Sequence, residues 1–283
     1  MSNIAIMTDT NSGISPQYAK DNDIFLIHMP FIVDGEEFFE YGALSYDEFF
    51  ALMTSGATVS TSQPSPADVC EMWEKALETY DYVIYIPMSS ALSGTYQTAK
   101  MLADDYDGKV FVVDNKRISV TLKTSVFDAI TLREKGFSAE EIVEALQENA
   151  LNSSVYVAVN TLEYLKKSGR VTPSGAAIGT LLGIKPVLKI MGEKLDAYKK
   201  VRGMPAATEV MIEAVKSDLE TRFCGEKVTI TAAYTGKLSG GEKWLSQVKN
   251  QFPDYDIELD ILPLSIACHL GPDALGIGIS KTE

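Results

Sequence analysis

The chain has 283 residues, 46% hydrophobic and 23% charged, enough for one large or two ordinary domains around a sizeable core. Its formal net charge of −14 repels phosphate backbones and anionic membrane surfaces, which argues against nucleic-acid binding. No apolar run of about 18 residues occurs, the opening MSNIAIMTDT lacks the basic stretch of a signal peptide, and the three cysteines (Cys70, Cys224, Cys268) form no CxxC, so the expectation is a cytoplasmic chain without stable membrane insertion, disulfide framework or zinc site.

In chain order, Ile4–Thr8 reads as a strand entering a polar turn, Asp9 to Gly13, and Phe25–Val33 is an apolar run interrupted by Pro30. Tyr46–Thr54 and Ala67–Leu77 read as helices. Between them Thr58–Pro66, TVSTSQPSP, reads as a hydroxyl-rich loop opening a helix. Tyr82–Pro87 and Val110–Asp114 read as strands, each followed by a helix, at Thr95–Ala103 and Ser119–Lys135. This alternation predicts a largely parallel sheet covered on both faces. Ligands of such sheets bind beyond the carboxyl ends of the strands, where Asp9, Thr10, Ser89 and Ser93 would gather.

Gly136–Ala150 reads as a capped helix, with Ser138 as N-cap and Glu141 three residues on. Strands at Val155–Val159, Pro186–Met191 and Lys194–Tyr198 follow, the last two joined by a Gly192–Glu193 turn that suggests a hairpin. Helix Ala206–Arg222, strand Val228–Tyr234, helix Gly241–Phe252 and strand Ile257–Leu262 complete the pattern. The fold class expected is therefore α/β in two domains. Residues 1–151 would form a mostly parallel sheet domain, and residues 152–283 a domain with a mixed or antiparallel sheet.

The stretch around which the chain is organised is Tyr82–Tyr106, where a buried strand feeds a polar turn and then a helix N-terminus. The first N–H groups of a helix lack partners and carry about half a positive charge, so such a turn receives an anion. Ser93 either caps this helix or turns its hydroxyl to a bound oxygen, and Gly94 leaves the backbone approachable. A second hydroxyl-rich turn in Thr58–Pro66 could face the first across a cleft and hold the same anionic head group.

Other chemistry finds little support. Glu242 stands where a phosphate loop needs lysine in GKLSGGEK, no GxGxxG fingerprint is present, and two histidines make no metal constellation. A serine hydrolase (esterase or thioesterase) using Ser93 and His269 is the alternative, both residues being read in polar turns, although ALSGT is not GxSxG and no orienting acid can be named. His269 could equally be a satisfied core histidine. The basic clusters Lys166, Lys167, Arg170 and Lys199, Lys200, Arg202 are solvated faces or docking points for an acidic partner.

STSQPSP at Ser60–Pro66, SSALSGTYQTA at Ser89–Ala99, LEYLKKSGRV at Leu162–Val171, LLGIKPVL at Leu181–Leu188 and HLGPDALGIG at His269–Gly278 resemble the DegV family of bacterial fatty-acid-binding proteins. With TDTNSG near the start, the resemblance covers nearly the whole chain. It departs at Thr10, where the family usually has Ser, at Asp273, where it usually has Gly, and after Arg202, where the usual basic residues are missing. The resemblance implies a carrier without catalytic residues or cofactor, which holds a long-chain fatty acid in a tunnel between its domains, lined by apolar and aromatic side chains. It implies a head-group site of Thr61 or Ser62, Ser93 and the Gly94 N–H, with His269 nearby. It also implies a partner, a fatty acid kinase that phosphorylates the bound acid, and a docking role for Arg170, which would project from a turn after the left-handed cap Gly169.

Overall fold

In the computed structural model, which describes residues 3–177 and 183–283, the chain begins with β1 (Ile4–Asp9) and β2 (Ile24–Ile27). It then leaves to make β3 (Pro30–Val33), β4 (Glu36–Phe39) and β5 (Val59–Thr61), and returns with β6 (Tyr82–Ile86) and β7 (Val110–Val112). The order β2-β1-β6-β7 forms a sheet, parallel throughout. Every residue of β1 is buried, because alternate side chains enter opposite layers. Ile4 and Ile6 pack with Leu122 and Val126 of the helix Val120–Glu134 and with Ile142 of Ala139–Glu148. Ala5 and Met7 pack with Val69 and Trp73 of Pro66–Leu77 and with Ala99 of Thr95–Ala103.

The second half supplies β8 (Ser153–Ala158), β9 (Ile184–Ile190), β10 (Asp196–Arg202), β11 (Val228–Tyr234), β12 (Glu258–Ile261) and β13 (Leu275–Lys281). They form a mixed sheet, β10-β9-β8-β13-β11-β12, with β11 and β12 parallel and the other pairs antiparallel. One face carries Tyr156, Ile230 and Ile277 against Met211, Val215, Trp244 and Val248 of the helices Met204–Glu220 and Leu238–Gln251. The other face presents Val157, Leu188 and Ile190 to Leu92 and Val120 from the first half and to Leu262 and Ile266. The fold is thus α/β in a two-domain layout, with an apolar seam between the sheets.

The hairpin between β9 and β10 turns at Gly192, whose φ of 82° is readily adopted only by glycine. The capping box of Ser138 and Glu141 is present. The elements outside the sequence reading include β4, β5, β13 and the helices Pro16–Asp21, Pro173–Ala176 and Leu264–Leu270. The run Phe25–Val33 is divided between two sheets, since Pro30 lacks an N–H and begins β3 elsewhere. Leu181 and Leu182 of LLGIKPVL lie outside the described residues. Asp273, at a position where glycine was the family expectation, has φ 57°, a left-handed conformation that Asp tolerates better than most side chains.

The antiparallel sheet β4-β3-β5 belongs by sequence to the first half, yet it covers the last helix. Phe31, Val33, Phe49 and Phe50 pack against Leu264, Ala267 and Cys268. The buried Glu40 carboxylate accepts the Ser265 N–H at 2.6 Å, filling the place of a cap at the start of that helix, where N–H groups have no partner within it. Gly278 of β13 allows the helix Val120–Glu134 to start directly on the sheet, since a Cβ there would lie 2.4 Å from Val120 Cγ2.

Candidate functional site

Because β1 lies between β2 and β6, the connections leave it in opposite directions and open a crevice at the carboxyl ends of the strands. Asp9, Thr10 and Ser89 are there but fully buried and occupied with loop structure. The Asp9 carboxylate accepts from Asn11 N–H at 2.9 Å and Met88 N–H at 3.1 Å, while burial pushes its pKa up to about 6 against those bonds. Thr10 Oγ1 accepts from Met29 N–H at 3.0 Å, and Ser89 Oγ accepts from Ala91 N–H at 3.2 Å. Of the residues expected to gather at this point, only Ser93 reaches the ligand space. Asn11, which also lines it, was not singled out, because nothing in TDTNSG distinguishes a loop-shaping residue from a lining one.

Between the two layers lies a cavity of about 210 Å³. Its walls include Leu92, Val120, Val157, Ile190, Leu195, Leu262, Ile266 and Leu270, and among its described lining residues there is no Phe, Tyr or Trp. The expectation of aromatic lining is therefore corrected. The large aromatics are consumed in cores elsewhere, as in Trp73 against Tyr85 and Tyr106, or Phe31 against Phe49.

The same cavity is lined by Thr61, Ser62, Gln63, Ser93, Gly94, Arg170 and His269, with Arg170 the sole charged side chain among the described lining residues. Thr61 ends β5, and its Oγ1 is 3.0 Å from His269 Nε2. Gly94, and not Ser93, is the N-cap residue of the helix Thr95–Ala103. Ser93 nevertheless accepts the Thr95 N–H through its Oγ at 3.2 Å and lies 2.8 Å from Thr95 Oγ1. The Gly94 N–H has no acceptor among the described residues, and a Cβ on Gly94 would lie 3.1 Å from Gln63 Oε1. Gln63 in turn accepts from Thr98 Oγ1 at 3.1 Å, so the two hydroxyl-rich segments meet at this point.

His269 stands in the last turn of the helix Leu264–Leu270, where the sequence reading had placed a polar turn. Short helices of mainly buried residues carry little periodic signal; in this one every residue but His269 is buried, and His269 keeps only an edge exposed. Burial, reinforced by the nearby Arg170 charge, pushes the imidazole pKa down to about 3, so the ring is neutral. Its Nδ1 is buried and has no partner among the described residues. Neither a hydrogen bond from Ser93 to His269 nor an acid orienting the ring is present among the described residues, so the nucleophile–base relay of a serine hydrolase is not assembled.

Gly169, at φ 69°, caps the helix Glu163–Ser168 as expected. Arg170, however, does not project freely into solvent. It is half-buried, donates from Nη1 to Ser168 O at 2.8 Å, and lines the cavity together with two grooves at the surface. One groove also contains Glu163, Tyr164 and Lys167, and the other Ser90, Gln97 and Lys194. Among the described residues no cluster of His, Cys, Asp and Glu is arranged to hold a metal, and no helix is long and apolar enough to cross a membrane.

The profile of a family described as uncharacterised protein, DegV family, matches residues 3–282. A DegV domain-containing protein of Deinococcus radiodurans is 30% identical over 280 residues, covering 98% of each chain. Among solved structures, a fatty-acid-binding DegV family protein from Thermus thermophilus superposes with a TM-score of 0.89 at 28% identity, covering 99% of both chains. A fatty-acid-binding DegV family protein from Streptococcus agalactiae gives 0.88 at 25% identity, with both chains covered in full at 100%.

Proposed function

Since the chain belongs to the DegV family, we propose that it is a carrier that binds a long-chain fatty acid in the cavity between its sheets. The observation that supports this most directly is the contrast within one cavity: an aliphatic wall, no acidic side chain among the described lining residues, and a polar group of hydroxyls, a neutral imidazole and the Arg170 cation. A carboxylate on a long apolar tail has the complementary chemistry. Thr61, Ser62, Ser93 and the Gly94 N–H would hold the head group, with His269 beside it and Arg170 supplying the countercharge. Each charge-assisted hydrogen bond contributes about 1.5 to 3 kcal/mol. A tail of roughly fifteen methylenes contributes about 12 kcal/mol at ~0.8 kcal/mol each, before the ~4 to 15 kcal/mol lost on association. The tail therefore sets affinity and the polar residues set orientation.

No nucleophile–base pair is assembled at the cavity among the described residues, and in this reading the chemistry on the carboxylate belongs to a partner. We propose a fatty acid kinase in that role. It would dock over the grooves that flank Arg170, which share that residue with the cavity. Lipid extraction and native mass spectrometry of the purified protein should give a long-chain fatty acid near one-to-one. A protein that emerges empty and takes up neither palmitate nor oleate would overturn the carrier reading.

A further inference from the structure

Part of the cavity remains unexplained by a head group and a plain hydrocarbon tail. Asn11 is 1% exposed and lines the cavity, yet its Nδ2 donates to no group among the described residues. Ser119, 7% exposed, also lines the cavity, and its Oγ has no partner among the described residues. Ser119 is the N-cap residue of the 15-residue helix Val120–Glu134 and makes no side-chain cap; the Val120 N–H that follows it has no acceptor among the described residues. The two residues are tied together, since the Ser119 N–H donates to Asn11 O at 3.0 Å. Ser119 has φ 55° and ψ −132°, a conformation costly for any residue with a side chain, and it lines the cavity in that strained geometry.

From this convergence of an amide, a hydroxyl and a helix N-terminus on an otherwise aliphatic cavity we infer a second polar subsite, one that takes an oxygen on the acyl chain and makes hydroxy fatty acids the preferred ligands. The inference rests on the fatty-acid reading above and deepens it. An unsubstituted methylene at this point leaves buried donors unpaired, whereas a hydroxyl oxygen accepts from Asn11 Nδ2 or Val120 N–H and donates to Ser119 Oγ. Its place along the chain follows from Ser265, whose Oγ donates to Asn11 Oδ1 at 2.8 Å and which stands four residues before His269 on the same helix. One helical turn advances about 5.4 Å, so the hydroxyl belongs a few carbons from the carboxylate, in the proximal half of the tail.

The test is titration calorimetry on delipidated protein with stearate and with stearates hydroxylated on the third, fifth, seventh or twelfth carbon. At least one proximal isomer should bind about tenfold tighter than stearate, the gain of one well-placed hydrogen bond, and the twelfth-carbon isomer should show no such gain. Ser119→Ala and Asn11→Leu should each bring the ratio of hydroxystearate to stearate affinity close to one, with circular dichroism checking that each variant is folded. Stearate binding without any proximal preference, or a preference that survives in both variants, overturns the subsite and leaves the carrier reading standing. Failure of every acid to bind removes the carrier reading and the subsite together.

Discussion

The imidazole of His269 is buried beside a guanidinium, and both effects disfavour its protonation. Its pKa falls from 6.5 to about 3, so the stability it contributes is present above about pH 6.5 and is lost as the pH drops towards 3. Asp9 works in the opposite sense: raised from 3.8 to about 6, it stabilises the fold when protonated and loses that contribution as pH rises through 6. His269→Gln should therefore narrow its stability gap to the parent protein as pH falls from about 7 to about 4.5, in melting curves of both proteins at each pH. Ser93→Ala should weaken palmitate binding by about ten- to a hundredfold, the value of one charge-assisted hydrogen bond, without revealing or abolishing any ester turnover. An esterase activity lost in that variant would restore the hydrolase. Arg170→Ala should lower both fatty-acid affinity and kinase-dependent phosphorylation, since the side chain lines the cavity and the grooves outside it. Sequence alone marks Ser93, Gly94 and the Thr61–Ser62 pair through hydroxyls beside a helix start. It does not mark Asn11 or Ser119, which meet at the cavity from segments far apart in the sequence.

At the level of elements, the strands and helices with a clear period are legible because burial on one face imposes that period. The helix Thr95–Ala103 and the strand Val228–Tyr234 fall at the expected bounds. Short elements are less legible. β5 spans three residues inside a hydroxyl-rich stretch and pairs with β3 only because the turn after β3 and the helix Tyr46–Thr54 bring it alongside. β13 does not read as a strand, its paired glycines Gly276 and Gly278 weakening the pattern, although the absent side chain of Gly278 is what the neighbouring helix requires. Gly278→Ala should drive a methyl into Val120, costing roughly 1 to 3 kcal/mol and lowering the melting temperature. Because Val120 lines the cavity, fatty-acid affinity should fall in the same variant, and unchanged melting and binding would show that the helix start yields easily.

For the whole molecule, a ligand seated between two sheets ties them together, and it stabilises the folded state by mass action. At a free fatty acid concentration near 100 times Kd the gain is about 2.7 kcal/mol, which a thermal shift of delipidated protein should register as a rise of several degrees. The two-layer plan follows from the alternation of apolar runs and helical periods along the chain. Its weave does not, because no local pattern announces that β3, β4 and β5 cross to the last helix. That crossing has a consequence for biosynthesis. Thr61 meets His269, Glu40 meets Ser265 and Asn11 meets Ser265 across 208, 225 and 254 positions of sequence. A ribosome adding about 5 to 20 residues per second therefore exposes Phe31, Phe49 and Met53 for some ten seconds or more before Leu264 and Ala267 emerge to cover them. During that interval the nascent chain carries a greasy, unroofed sheet, the kind of surface that holding chaperones bind, and the cavity between its sheets closes only in the last moments of translation.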